Sequence, residues 1–183
     1  MFNSTSKDFP DKHYRTISLV NDFKGEAEST LLDDSFGQLT FDGFYAYGIK
    51  RINNQAFGKA AETIKYLSCK ICSIVDSPSD YNIWTVLNQT NQLLALTLGL
   101  NVPEIPSNAI TSNNQLGSTL KSLSLSSKQN LTMKSNAFNN LNNLNEFELK
   151  HTIINEIEGA FNFSGKSNKS LDIYIFDVKL SNN

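Results

Sequence analysis

The chain has 183 residues, 39% hydrophobic and 19% charged, with 12 Phe and 6 Tyr and a formal net charge of -2. Its length fits one domain, and its apolar content supplies a packed core and excludes wholesale disorder. Lys and Arg are scattered singly, which excludes the basic stripe of a nucleic-acid binder.

Residues 1–13 are polar, with Pro10 near the end, and predict a flexible arm ahead of a single domain over 14–183. The arm lacks the apolar run of a secretory signal, and no window is long and apolar enough for a membrane-spanning helix. Tyr14 to Val20 predicts a strand with Ile17 and Leu19 on one face. Residues 21–35 are polar and acidic and predict a loop. From Leu39, the alternate positions Phe41, Gly43, Tyr45, Tyr47 and Ile49 predict a strand with that face buried. Phe44 and Ala46 interrupt the alternation, so the second face is expected to be partly covered.

The spacing then lengthens. Phe57, Ala60, Ala61, Ile64, Leu67, Ile71, Ile74 and Val75 recur every three or four residues and predict an amphipathic helix ending near Asp76. Ser77-Pro78-Ser79-Asp80 has the capping chemistry to start a second helix, carried by Ile83, Leu87, Thr90, Leu94 and Leu98 and stopped by Gly99 and Pro103. The short connection predicts an antiparallel helical hairpin. Residues 101–113 are a linker. Leu116, Leu120 and Leu123 fit a helix, whereas Ser122 to Ser126 and Leu131 to Met133 alternate; strands are expected over about 119–134, because Ser-rich runs are poor helix interiors. Six Asn crowd residues 136–145.

Phe147, Leu149, His151, Ile153, Ile157, Phe161 and Phe163 occupy odd positions and predict one long or two shorter strands, with a helix over Ile153–Phe161 as the alternative. Leu171 to Leu180 is apolar on both faces through Phe176 and predicts a central strand. No internal repeat of 20–50 residues stands out. Strands at both ends around a helical hairpin give α+β with a mainly antiparallel sheet.

Candidate chemistry is sparse. Cys69-Lys70-Ile71-Cys72 is the only Cys-x-x-Cys, and only His13 and His151 are left to complete a zinc site, so packing is the plainer reading. His151 lies on the apolar side of its strand pattern, and Glu156 and Glu158 share the polar side with Lys150 and Thr152. A core histidine and a solvated acidic face are the plainer readings of both. Neither a phosphate-binding glycine loop nor a nucleophile elbow is present. Five Asn-x-Ser/Thr patterns read as accidents of composition, given no secretory signal.

The expectation is therefore a non-catalytic structural or assembly protein acting as a homo-oligomer, cytoplasmic or inside a virion, with no cofactor and no metal. A viral or phage particle component is one form of this. The first alternative is a binding module for a small apolar ligand or a protein, with Phe41, Tyr45, Tyr47, Trp84, Phe161 and Phe163 lining the site. The second alternative is an enzyme assembled from distant residues, with Glu156, Glu158 and His151 as its candidate groups.

Overall fold

The computed structural model describes residues 12–20, 30–49, 51–72, 83–100, 102–111, 115–160 and 170–181. In chain order its strands are β1 (His13–Val20), β2 (Thr30–Leu31), β3 (Thr40–Tyr47), β4 (Arg51–Ile52), β5 (Tyr66–Cys72), β6 (Ala95–Leu100), β7 (Glu104–Ile105), β8 (Ser122–Ser127), β9 (Asn130–Met133), β10 (Glu146–Ile157) and β11 (Asp172–Leu180). The main sheet runs β1-β3-β5-β6-β8-β10, with β11 on the other edge of β10, and every one of these pairings is parallel. Register partners His13–Thr40, Gly43–Tyr66, Tyr66–Ala95, Ala95–Ser122, Ser122–Glu146 and Glu146–Asp172 are 27, 23, 29, 27, 24 and 26 residues apart. A parallel neighbour requires a crossover. Here each crossover is one turn of a coil, and the protein is a β-solenoid.

The register explains the core. One column of stacked side chains runs Ile17, Phe44, Leu67, Leu96, Leu123, Phe147 and Ile173, and a second runs Leu19, Ala46, Cys69, Leu98, Leu125, Leu149 and Ile175. From Phe44 to Phe147 and from Ala46 to Leu149 these columns are buried. A single coil has nothing to bury against, so each apolar segment acquires its burial only from the coils on either side. Leu131, Met133, Ile105 and Ile154 close a second wall, where β9 pairs with the far half of β10 and β7 pairs with β9.

Corners demand left-handed backbone. Gly48 (φ 72°) follows the end of β3, while His151 (φ 49°) and Asp177 (φ 48°) lie within β10 and β11 and bend them in mid-strand. On the opposite side, Asp34, Asn108, Asn136 and Gly159 also have positive φ. Each is followed by a small residue, Ser35, Ala109, Ala137 or Ala160. Phe36, Ile110 and Phe138 come next and are buried. These turns stack too. Ile110 N–H donates to Ala137 O at 3.4 Å, Phe138 N–H to Ala160 O at 3.3 Å, and Phe36 N–H to Ala56 O at 3.4 Å. The Phe36 and Phe57 rings lie parallel at 5.9 Å.

The architecture corrects several expectations. The sheet is parallel, not antiparallel, and no helical hairpin exists among the described residues; α+β does not hold. Of the helix expected from Phe57 to Asp76, Gly58–Glu62 is a 3-10 turn and Tyr66–Cys72 is strand. Phe57, Ala60, Ile64 and Leu67 are buried as expected, because a tight turn feeding a strand also spaces inward residues by three and four. The second expected helix keeps only Ile83–Leu87, and Ala95–Leu100 alternates as strand. Its Ser77-Pro78 start, residues 1–11 of the expected arm and the loop over 21–29 lie outside the described residues, while His13 already belongs to β1. Leu171 to Leu180 forms an edge strand rather than a central one. An internal repeat is present after all, as coils of unequal length.

Strands β1, β8 and β9 stand where alternation placed them, but two faces change. In β3 the inward phase slips between Phe41 and Phe44, leaving Phe44 and Ala46 buried and Tyr45 and Tyr47 exposed. At the slip, Thr63 Oγ1 accepts from Phe41 N–H at 3.3 Å and donates to Phe41 O at 3.1 Å. In β10, Phe147 and Leu149 point inward, the left-handed His151 turns the corner, and Thr152 and Ile154 are buried instead of Ile153 and Ile157. The helix considered over Ile153–Phe161 is strand as far as Ile157.

Candidate recognition face

The outward side chains of the main sheet stand in three rows across the strands. The first runs Thr16, Gly43, Tyr66, Ala95, Ser122, Glu146 and Asp172, and the second Ser18, Tyr45, Ser68, Thr97, Ser124, Glu148 and Tyr174. In the third row, Val20, Tyr47 and Lys70 stand on one flank, and Gly99, Ser126, Lys150 and Phe176 continue it across β6 to β11. Small residues fill the middle strands β6 and β8. Tyr45, Tyr47, Tyr66 and Lys70 rise on one bank, and Glu148 and Lys150 on the other. Neighbouring strands lie about 4.8 Å apart, so the banks on β5 and β10 are roughly 14 Å apart at the backbone. Ala95 to Gly99 gives the floor a length of roughly 13–17 Å along the strands.

The trough deepens at its corner end into a cavity of about 390 Å³. Thr97, Gly99 and Ser126 contribute to its floor, Tyr47 and Lys70 stand on one side, and Lys128, Lys150 and His151 on the other. No carboxylate is among the residues lining it. Its walls are fixed from below by the corner. The buried Thr152 hydroxyl accepts from Ser127 N–H at 3.1 Å and donates to Lys150 O at 2.8 Å, while Ser127 Oγ donates to Gln129 O at 3.0 Å. Those bonds tie the two adjacent bends that present Lys128, Lys150 and His151.

Glu148 stands one row away. Lys150 Nζ donates to Glu148 Oε2 at 2.7 Å and Ser124 Oγ donates to the same oxygen at 2.5 Å. The bond from Lys150 first, and that from Ser124 second, hold the carboxyl below its usual range, against an opposing effect of burial. Ser124 and Lys150 thus share one carboxylate oxygen, which holds the Lys150 ammonium beside the middle row. His151 Nδ1 lies 3.1 Å from Asp177 Oδ2, and both side chains are well exposed. This pair joins the left-handed corners of β10 and β11.

The expected site residues divide. Tyr45 and Tyr47 stand exposed on the outward face, and Tyr47 lines the cavity. Phe41 and Trp84 are core residues on the other side of the sheet wall, Trp84 edge-on to Phe138 at 6.3 Å. Phe161 and Phe163 lie outside the described residues. Phe41 and Trp84 therefore do not share a binding site with the tyrosines. Glu158 is paired with Lys134, while His151 precedes Glu156 by five residues of extended chain, roughly 17 Å. His151 and these glutamates do not converge. Cys69 is buried and disulfide-bonded, the side chain of Cys72 lies outside the described residues, and among the described residues no three His, Cys, Asp or Glu gather around a metal position. Lys70, Lys128, Thr97, Gly99 and Ser126 did not stand out in the sequence. They come from four strands or corners and become neighbours only through the register.

Among the described residues no helix is long and apolar enough to cross a membrane. The chain matches no protein-family model, no curated protein and no solved structure.

Proposed function

We propose that this protein is a non-catalytic recognition module that holds an extended, acidic segment of a protein partner against the outward face of its parallel sheet. The observation that carries the reading is the cavity beside Tyr47, lined by Lys70, Lys128, Lys150 and His151 around Thr97, Gly99 and Ser126, with the carboxylates that pair Lys150 and His151, Glu148 and Asp177, standing outside the lining. Tyrosine offers large, rigid contact area at low entropic cost, and Ser, Thr and Gly adapt their hydrogen bonding; interfaces built for recognition combine these residue types. The trough is open along the strands and long enough for about four or five extended residues. The lysine cluster at one end supplies orientation, since an Asp or Glu of the segment gains a charge-assisted hydrogen bond there.

The test is selection of a displayed random-peptide library on the immobilised protein, followed by fluorescence anisotropy with enriched peptides. The expected peptides carry Asp or Glu, bind more weakly as salt rises, and lose about 5- to 30-fold affinity with Tyr47→Ala, the range for an aromatic anchor. Lys128→Glu weakens binding in the same direction. Enriched peptides without acidic residues, or with affinities indifferent to both substitutions, contradict the reading. Self-association is a second reading, favoured by the exposed apolar faces of β11.

A further inference from the structure

We infer that the outer edge of β11 docks a second copy of this chain, the two β11 strands pairing antiparallel about a two-fold axis at Tyr174. β11 carries the core columns one step past β10, from Phe147 to Ile173 and from Leu149 to Ile175. Yet Ile173 is 54% exposed and Ile175 62%. On its other face Tyr174 and Phe176 stack parallel at 6.3 Å and are also about half exposed. Among the described residues no strand pairs with this edge. An edge strand with apolar side chains on both faces is a template for another strand.

A second copy fits that template. Directly opposed residues of an antiparallel pair share a face, so an axis at Tyr174 sets Ile173 against the partner's Ile175 and Ile175 against the partner's Ile173. Tyr174 meets its own counterpart, and Asp172 meets the partner's Phe176, so no like charges oppose each other. The inward face of one strand continues the inward face of the other, and both solenoid interiors are closed by the same contact. Ile173, Tyr174, Ile175 and Phe176 each leave more than two-fifths of their surface exposed. Together they offer on the order of 400 Å² of largely apolar surface, which the edge backbone brings towards the roughly 800 Å² per partner of a stable interface. Stacking end to end would instead use β1, where Ile17 and Leu19 are already half-buried. The two-fold contact uses one surface twice and closes at a dimer.

Sedimentation equilibrium of the 183-residue chain at micromolar concentration and above is expected to show a dimer. Ile175→Lys is expected to give a monomer with an unchanged far-UV circular dichroism spectrum. If that variant misfolds, Tyr174→Cys decides the matter: mild oxidation is expected to link two chains through residue 174, whereas Val20→Cys stays unlinked. A strict monomer at high micromolar concentration, an open-ended series of larger species, or linking through residue 20 in place of 174 overturns the proposal. Tyr47→Ala leaves the dimer intact, so this result is independent of peptide binding.

Discussion

Phe44 and Tyr45 are adjacent aromatic residues with opposite surroundings, and replacing each by Ala separates the solenoid from the sheet that alternation from Leu39 suggests. Phe44 is fully buried, with its ring edge-on to Phe36 at 5.5 Å and to Phe57 at 5.3 Å; Tyr45 is 46% exposed. Phe44→Ala loses the transfer free energy of the ring and leaves a cavity in the first core column, about 3–5 kcal/mol, with the two ring contacts lying towards the upper end of that range. At about 2–4 °C per kcal/mol for a chain of this size, the midpoint falls by roughly 6–20 °C. Tyr45→Ala removes a partly solvated side chain and costs about 1 kcal/mol or less. Urea unfolding followed by far-UV circular dichroism and by fluorescence of the buried Trp84 measures both. Two probes are needed because coils of a solenoid do not always unfold as one unit. If Tyr45→Ala costs as much as Phe44→Ala, the inward phase of β3 is wrong and the outward rows with it.

Other substitutions probe the turns and the charges. Gly117→Ala drives a Cβ into the backbone carbonyl oxygen of Asn140 and is expected to lower stability by about 1–3 kcal/mol in the same urea assay. His151→Gly is expected to stay within about 1 kcal/mol of the parent, since release from left-handed strain offsets lost chain stiffness, whereas the β-branched His151→Val loses about 2 kcal/mol at φ 49°. Glu148 is depressed from an ordinary value of 4.5, so the unfolded chain takes up its proton first as pH falls. Its contribution is complete above that ordinary value and disappears as pH falls through the folded one. Urea midpoints for the parent and Glu148→Gln should therefore differ by about 1 kcal/mol near neutral pH and converge in acid. A difference that persists in strong acid refutes the ion-pair account.

How much of this was legible follows from what periodicity encodes. Alternation marked β1, β8, β9 and the inward Phe147 and Leu149, because half-buried strands repeat every two residues whatever they pair with. The partner is not encoded there, so direction and order remained open, and strands at both ends around an expected helical hairpin suggested an antiparallel sheet. Coils of 23 to 29 residues share only short inward segments, which hides the repeat from a fixed-period search. A signal did exist at the turns: Asp34-Ser35-Phe36, Asn108-Ala109-Ile110, Asn136-Ala137-Phe138 and Gly159-Ala160-Phe161 share a residue tolerant of left-handed backbone, a small residue and a large apolar one. The Asn-rich stretch has a structural part in this, since Asn136 supplies the left-handed residue and Asn140 Nδ2 donates to Ile110 O at 2.6 Å. Of the proposed recognition face only Tyr45 and Tyr47 were among the expected site residues, because Thr97, Ser126 and Lys128 join Tyr47 through register alone.

The inward columns must be apolar for any coil to stack, so their chemistry says little about function; the outward rows are under no such demand. Gly99 tests that division directly. It sits in β6 on the cavity floor, its φ is not left-handed, and its neighbour on β8 is Ser126. Gly99→Tyr adds a ring to the outward face without entering the core, and strand propensity favours the change by up to about 1 kcal/mol. The urea midpoint should therefore hold or rise slightly. The same ring occupies the space between Tyr47 and Lys150, and an acidic peptide that relies on the cavity should lose at least about tenfold in affinity, the equivalent of 1.4 kcal/mol. Stability lost with binding retained would mean that residue 99 faces the interior and that the trough is not where recognition happens. Stability retained with binding lost is the result that only an outward, fold-independent site produces.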